Sequence, residues 1–367
     1  MSRQPPTDFS KSPLATELIK NINVLDCTLR DGGLALQDLN LNHQQYDALS
    51  QNNASTVIDS LYESGINIIE VGSIDPSIQQ PNDFFIYPNL EALSESYPKN
   101  HQVLAALYRG PDTPLNMIPS YDENLCQLIR VIIRYSELSK SLEFCQGLSE
   151  KGYKVFIQPM VTMRYSDSQI EQLIKSANLM QAYALYMVDS YGYMNPENIS
   201  HLFKLIDSRL DKNIKIGFHA HNNMNLAFSN VQYFLNLESD RELIVDSTIS
   251  GMGQGAGNMQ SELLIPYLNE QFGTQYNFEK LLEACEYIEP LARFGRWGYS
   301  LDNLLPAIHK TAYKFSLDFR KNYKLNYNQI NYILNHIPED LRHRYTKQNA
   351  RELLSMFAQE IKARELR

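Results

Sequence analysis

Short apolar runs alternate with longer amphipathic segments from Asn21 to Leu268. The runs at 21–29, 66–71 (INIIEV), 102–108 (QVLAALY) and 128–134 (LIRVIIR) read as strands. So do those at 154–160 (KVFIQPM), 184–188 (ALYMV), 213–218 (NIKIGF) and 242–249. They are nearly continuous in apolar residues, as parallel strands buried on both faces require. Between them, apolar spacing predicts helices over about 56–64, 136–150, 168–181, 196–210 and 258–268, and one ending near Phe234. Gly65 and Gly152 stand where helix C-caps are expected, and Pro196 falls in the first turn of its helix.

Eight strand–helix units in about 250 residues are the repeat of a (β/α)8 TIM barrel. An open doubly wound sheet shows the same alternation, but count and length favour the barrel. The expected fold is therefore α/β, a TIM barrel over 21–272 with a helical C-terminal extension over 273–367. In the extension, helix-like segments replace strand-like runs at 278–287, 306–315, 327–336, 338–345 and 349–366. Residues 1–20 read as a polar arm. The long connection Pro76–Asn100 is expected to be an active-site loop.

Composition narrows the function classes. The 367 residues are 43% hydrophobic and 20% charged, with a net charge of -9. The acidic balance argues against nucleic-acid and membrane-surface binding. There is no signal-peptide core and no long apolar stretch, so a cytoplasmic protein is expected. Cys27, Cys126, Cys145 and Cys285 form no C-x-x-C pair and read as reduced, mostly buried thiols.

The chemistry collects at strand ends, where barrel active sites lie. His219 and His221 are two apart on the seventh strand, so their imidazoles share a face. Arg30 and Asp31 follow the first strand, Glu70 ends the second, and Asp189 and Ser190 end the sixth. Asp246 lies on the eighth. Two imidazoles with a distant carboxylate such as Asp31 suit a divalent metal: manganese, cobalt, zinc, iron or magnesium. A metal beside the Arg30 guanidinium can polarise a 2-oxo carbonyl and hold an enolate.

The stretch Gly251–Asn258 (GMGQGAGN) loosely matches a dinucleotide-binding pattern. That motif belongs after a first strand, however, with an acid about twenty residues on. A backbone turn entering a helix, with amides free to approach a ligand, is the better reading, and Asn258 would then stand near the metal.

The motifs LDCTLRDGG (25–33), IEVGS (69–73), FHAHNN (218–223) and DSTISGMGQGAGN (246–258) together resemble the DRE-TIM metallolyases. This HMG-CoA lyase-like superfamily includes the 4-hydroxy-2-oxovalerate aldolases, to which the glycine loop is most similar. The resemblance covers about 22–270. It implies Asp31, His219, His221 and Asn258 as metal ligands, with manganese the expected ion and magnesium, cobalt or zinc as alternatives. It implies Arg30 as the enolate-stabilising residue, Arg30, Ser190 and Glu70 at the substrate, and Tyr299 as a catalytic tyrosine from the C-terminal region. Tyr299 is equally a packing aromatic among 23 tyrosines. The chain departs from the aldolases at Leu34, where they carry a proton-transfer histidine. Tyr299, His101 or a metal-bound water are the replacements open at this stage.

The resemblance implies a divalent-metal-dependent aldolase or lyase working through a pyruvate-like enolate. A small 2-oxo acid and an aldehyde are the expected partners. A homo-oligomer and an aldehyde-consuming dehydrogenase are also implied. A Claisen-type acyl-CoA condensing enzyme and a catalytically silent barrel serving as a partner protein are the alternatives. The lyase-type cysteine is absent from 246–260, and Leu34 keeps the silent barrel open.

Overall fold

The computed structural model describes residues 21–37, 51–99, 103–295 and 297–365. The polar arm at 1–20 and His101 lie outside the described residues. Eight parallel strands form the barrel. They are β1 (Ile22–Asp26), β2 (Ile68–Ile74), β3 (Leu104–Tyr108) and β4 (Leu128–Ile133). β5 (Lys154–Pro159), β6 (Ala184–Asp189), β7 (Lys215–Ala220) and β8 (Leu243–Ser247) complete it. Neighbours in sequence are neighbours in space, and β1 closes the ring by pairing with both β8 and β2. The expected barrel is the observed one.

The main apolar core lies between the strands and their surrounding helices. A second, smaller cluster, including Leu25, Ile68, Phe156 and Ile244, fills part of the barrel interior. Next to it the interior turns polar: Glu70, Arg130 and Asp246 are fully buried. A TIM barrel is packed rather than hollow, so those charges must find partners inside it.

Several boundaries differ from the sequence reading. β1 stops at Asp26, and Thr28–Gln37 is a helix. The Asp26 carboxylate causes the stop: it accepts from the Thr28 amide at 2.9 Å and the Thr28 hydroxyl at 2.8 Å. That turns the chain, and the Asp31 amide donates to the Cys27 carbonyl to close the first helical turn. Among the described residues, the connection from Pro76 to Lys99 contributes none to the central cavity. It instead carries a two-residue strand, Ile86–Tyr87, that pairs with β2, and a short helix, Leu90–Ser96. Phe85 and Tyr87 are buried there, so this segment is packed into the core.

The C-terminal region is helical, as expected. Tyr327–His336 matches the sequence reading exactly in its bounds. The segment read as one helix at 306–315 is two, Leu301–Ile308 and Lys314–Lys321: Ser300 caps the start of the first by accepting from the Asn303 amide, and Lys310, at φ +54°, breaks the helical path between them. The last segment is likewise divided, into Lys347–Met356 and Ala358–Ala363. The barrel's core runs past residue 272: Leu281, Ala284, Ile288 and Leu291 of the helix Phe278–Gly295 belong to it. A separate apolar cluster, with Phe315, Phe319 and Ile330, holds the later helices together. Among the described residues no helix is long and apolar enough to cross a membrane.

Candidate active site and metal centre

The C-terminal end of the barrel opens into a cavity of about 330 Å³. Arg30, Asp31, Ser190, His219 and His221 line its barrel side. Tyr313, Lys314, His343, Arg344 and Tyr345, from the C-terminal helical region, line the opposite wall. The sequence reading named none of these five.

His219 and His221 close off β7 and project together, their Nε2 atoms 3.2 Å apart. His219 Nδ1 lies 2.8 Å from the Asp246 carboxylate and His221 Nδ1 lies 3.2 Å from the Gln254 carbonyl. A carboxylate and a carbonyl accept, so each Nδ1 must carry the proton. Both Nε2 lone pairs therefore point at one another. Two neutral lone pairs do not make a hydrogen bond; they make a site for a cation. Burial, then the neighbouring His219, pushes the His221 imidazole down to about 4, which keeps it neutral.

Asp31 completes the set, with ligand atoms of all three residues within 4.8 Å of one another. Burial is the largest influence and would raise its carboxyl, but Arg30, His221, His219 and the Asn258 hydrogen bond together outweigh it and hold it at about 2. The Asn258 amide donates to Asp31 at 2.6 Å, and its own Oδ1 is buried with no partner. A buried orphan acceptor beside a carboxylate and two imidazole lone pairs is a donor set that fits a divalent ion. Cys27, His219 and Asp246 form a second group of ligand type. There the Cys27 thiol donates to the Ser247 carbonyl, burial raises its pKa, and Asp246 is engaged by Arg130 and His219.

Asn258 is not the first residue of a helix, as the sequence suggested. It precedes the helix Ser261–Phe272 and pairs as a bridge with His221. Five of the loop's amides are engaged: those of Gly251, Met252, Ala256, Gly257 and Asn258 donate to Thr248, Ile249, Asn223, Gln254 and Gly251. What the loop offers the site is the Gln254 carbonyl and the Asn258 side chain. Glycine is needed here: Gly257 has φ +85°, and a Cβ on it would lie 1.7 Å from the Gly251 oxygen.

Arg30 Nε donates to Glu70 at 2.7 Å and Nη1 to Asp31 at 2.6 Å. Glu70 also takes Arg130 Nη1 at 2.7 Å, and Arg130 in turn donates to Asp246. Gln158, with its amide oxygen turned inward, accepts from Arg130 too. This chain ties β2, β4 and β8 to both Arg30 and His219. Glu70 thus sits inside the strand and touches the two arginines rather than standing at the strand's end. Arg130 escaped the sequence reading, although an arginine flanked on both sides by apolar residues in LIRVII (128–133) was the signal. Two guanidiniums against Asp31, Glu70 and Asp246 leave one net negative charge, which a divalent cation would reverse.

Ser190 lines the cavity, with its hydroxyl accepting from the Val161 amide at 2.8 Å. Tyr299 is not brought into the cavity: it is 58% exposed, between the helices Phe278–Gly295 and Leu301–Ile308. Leu34 is buried on the first helix and does not line the cavity.

A family model described as HMGL-like matches residues 134–288. A protein of Thermomicrobium roseum named 4-hydroxy-2-oxovalerate aldolase is 30% identical over 277 residues, covering 72% of each chain. The chain belongs to the HMGL-like family. It is a carbon–carbon lyase of the aldolase type within it. The same barrel recurs in the N-terminal domain of a putative aldolase from Bacteroides vulgatus, with a TM-score of 0.62 and 23% identity, covering 82% of this chain and 98% of that one. It recurs in the carboxyl transferase domain of Rhizobium etli pyruvate carboxylase, with a TM-score of 0.69 and 15% identity. That alignment covers 93% of this HMGL-like chain and 61% of the other.

Proposed function

We propose that this HMGL-like lyase is a divalent-metal-dependent aldolase that cleaves or forms 4-hydroxy-2-oxo acids through a pyruvate-like enolate. One observation carries the reading. Two imidazole lone pairs and the Asp31 carboxylate converge beside a buried arginine in a cavity, and Asp31 is held by Asn258, whose own buried oxygen has no partner. The name of the Thermomicrobium relative supports the substrate class.

Asp31, His219, His221 and Asn258 would hold the ion, manganese being the expected one. When bound, it would supply a Lewis acid that polarises the 2-oxo carbonyl. The protein's own residues do the rest. Burial works against the charge on Arg30, but Glu70 and Asp31 more than offset this and keep it cationic. With Nε and Nη1 held by those two carboxylates, Nη2 is left for the substrate's developing enolate oxygen. Ser190 lies within reach of the same cavity for a substrate carboxylate. Glu70 acts on the substrate only through Arg30, whose position it fixes. Cleavage also requires a group to take the proton of the 4-hydroxyl.

Pyruvate release from a panel of 4-hydroxy-2-oxo acids, coupled to lactate dehydrogenase, tests the reading. Turnover is expected to vanish after chelation and to return with added Mn2+. Turnover unchanged in excess chelator would refute it.

A further inference from the structure

A histidine and a tyrosine meet in the wall of the cavity that the candidate metal ligands line. Tyr191 follows β6 and is 7% exposed. His343 comes from the C-terminal helical region, just after Glu339–Arg342. Both line the cavity. Their rings stack with centroids 5.9 Å apart and planes within 3°. The Tyr191 hydroxyl lies 3.2 Å from His343 Nδ1, and His343 Nε2 lies 3.2 Å from the Glu339 carboxylate.

The direction of these bonds follows from chemistry alone. A carboxylate only accepts, so Nε2 carries the proton and Nδ1 is left as an acceptor. Nδ1 then accepts from the Tyr191 hydroxyl. The phenol oxygen keeps lone pairs free for a donor in the cavity. The loop beneath is held firmly. Asp189 accepts from the Tyr193 and Met194 amides at 3.0 Å, and Asn223 donates to the Tyr191 carbonyl at 3.1 Å. Burial raises the phenol's pKa, so Tyr191 stays neutral and serves as a relay rather than a standing phenolate.

We infer that Tyr191, backed by His343 and Glu339, takes the 4-hydroxyl proton during cleavage. This rests on the aldolase reading above. The step balances. The substrate O–H proton passes to the Tyr191 oxygen while the Tyr191 proton passes to His343 Nδ1. The O–H electron pair forms the aldehyde carbonyl, the C3–C4 bond breaks, and its pair stays with the pyruvate enolate. His343 becomes an imidazolium facing Glu339, and Tyr191 is again a neutral phenol. Addition runs the same path backward.

The experiment compares two reactions of the Mn2+-loaded protein. One is cleavage of a 4-hydroxy-2-oxo acid. The other is deuterium entry into the pyruvate methyl group in D2O, which involves no hydroxyl proton. Tyr191→Phe is expected to lower cleavage about 100-fold, leaving exchange within about threefold. His343→Gln is expected to lower cleavage similarly and to abolish its acid limb. In the wild type that limb lies on the acid side of the ordinary imidazole range, because burial, then Arg164, and also Arg342 depress His343 while Glu339 raises it, and Tyr191 faces it across the stack. Cleavage is present above the His343 pKa and lost as pH falls through it. Undiminished cleavage in Tyr191→Phe overturns the relay. So does an equal loss of cleavage and exchange in both variants. Absence of exchange in the wild type overturns the enolate reading itself and the relay with it.

Discussion

Asp246 serves two neighbours with one carboxylate oxygen, fixing the His219 tautomer and neutralising Arg130. Asp246→Asn is expected to weaken Mn2+ binding roughly 10- to 100-fold by calorimetry, because His219 loses its orienting partner. Arg130→Met strips a counter-charge from two fully buried carboxylates, Glu70 and Asp246. Loss of about 3–5 kcal/mol of stability is expected in urea unfolding; a loss below about 1 kcal/mol would mean that Arg130 is dispensable to the buried network. At this scale the sequence was partly legible. His219, His221 and Asp31 announced themselves by residue type and by falling next to strand ends. Arg130 did not, because periodicity marks it as buried but not as paired. Only the closed ring brings β2, β4 and β8 side chains to one point.

The eight strands were legible because their apolar runs are long and their spacing regular. The turn after β1 was not: Asp26 ends the strand through its own side chain, which moves Arg30 and Asp31 from a strand end onto the first turn of a helix. The glycine loop is the element on which the site depends most. Gly257→Ala meets both a positive φ and the Gly251 oxygen. A fall of about 2 kcal/mol or more is expected in thermal or chemical unfolding. Gly253→Ala would press on Asn258 and Asp31 and should lower metal affinity more than stability. Equal metal affinity in that variant would show that the loop does not set the ligand positions.

The whole molecule builds its cavity from two distant parts of the chain, the barrel's strand ends and the C-terminal helices. The helices could be read from the sequence, but their docking could not, since no local pattern states which barrel face a later helix will cover. That is why the sequence offered Tyr299 from this region, which lies outside the cavity, and not His343, which lines it. The fold also carries a pH signature. Burial raises the Asp26 carboxyl to about 7, against the hydrogen bonds from Thr28. Between its ordinary value and pH 7 the folded chain holds a proton that the unfolded chain releases. This residue's contribution to stability therefore falls as pH rises through that window, by roughly 1.4 kcal/mol per unit. Urea unfolding at pH 5 and pH 8 should show less of this fall in Asp26→Asn; an unchanged dependence would assign it elsewhere. The decisive measurement is proton NMR of pyruvate in D2O with metal-stripped protein, with Mn2+ restored, and with His219→Ala/His221→Ala. Deuterium should enter the methyl group only in the metal-restored wild type. Exchange at full rate in the stripped protein or in the double variant would contradict a metal-held enolate.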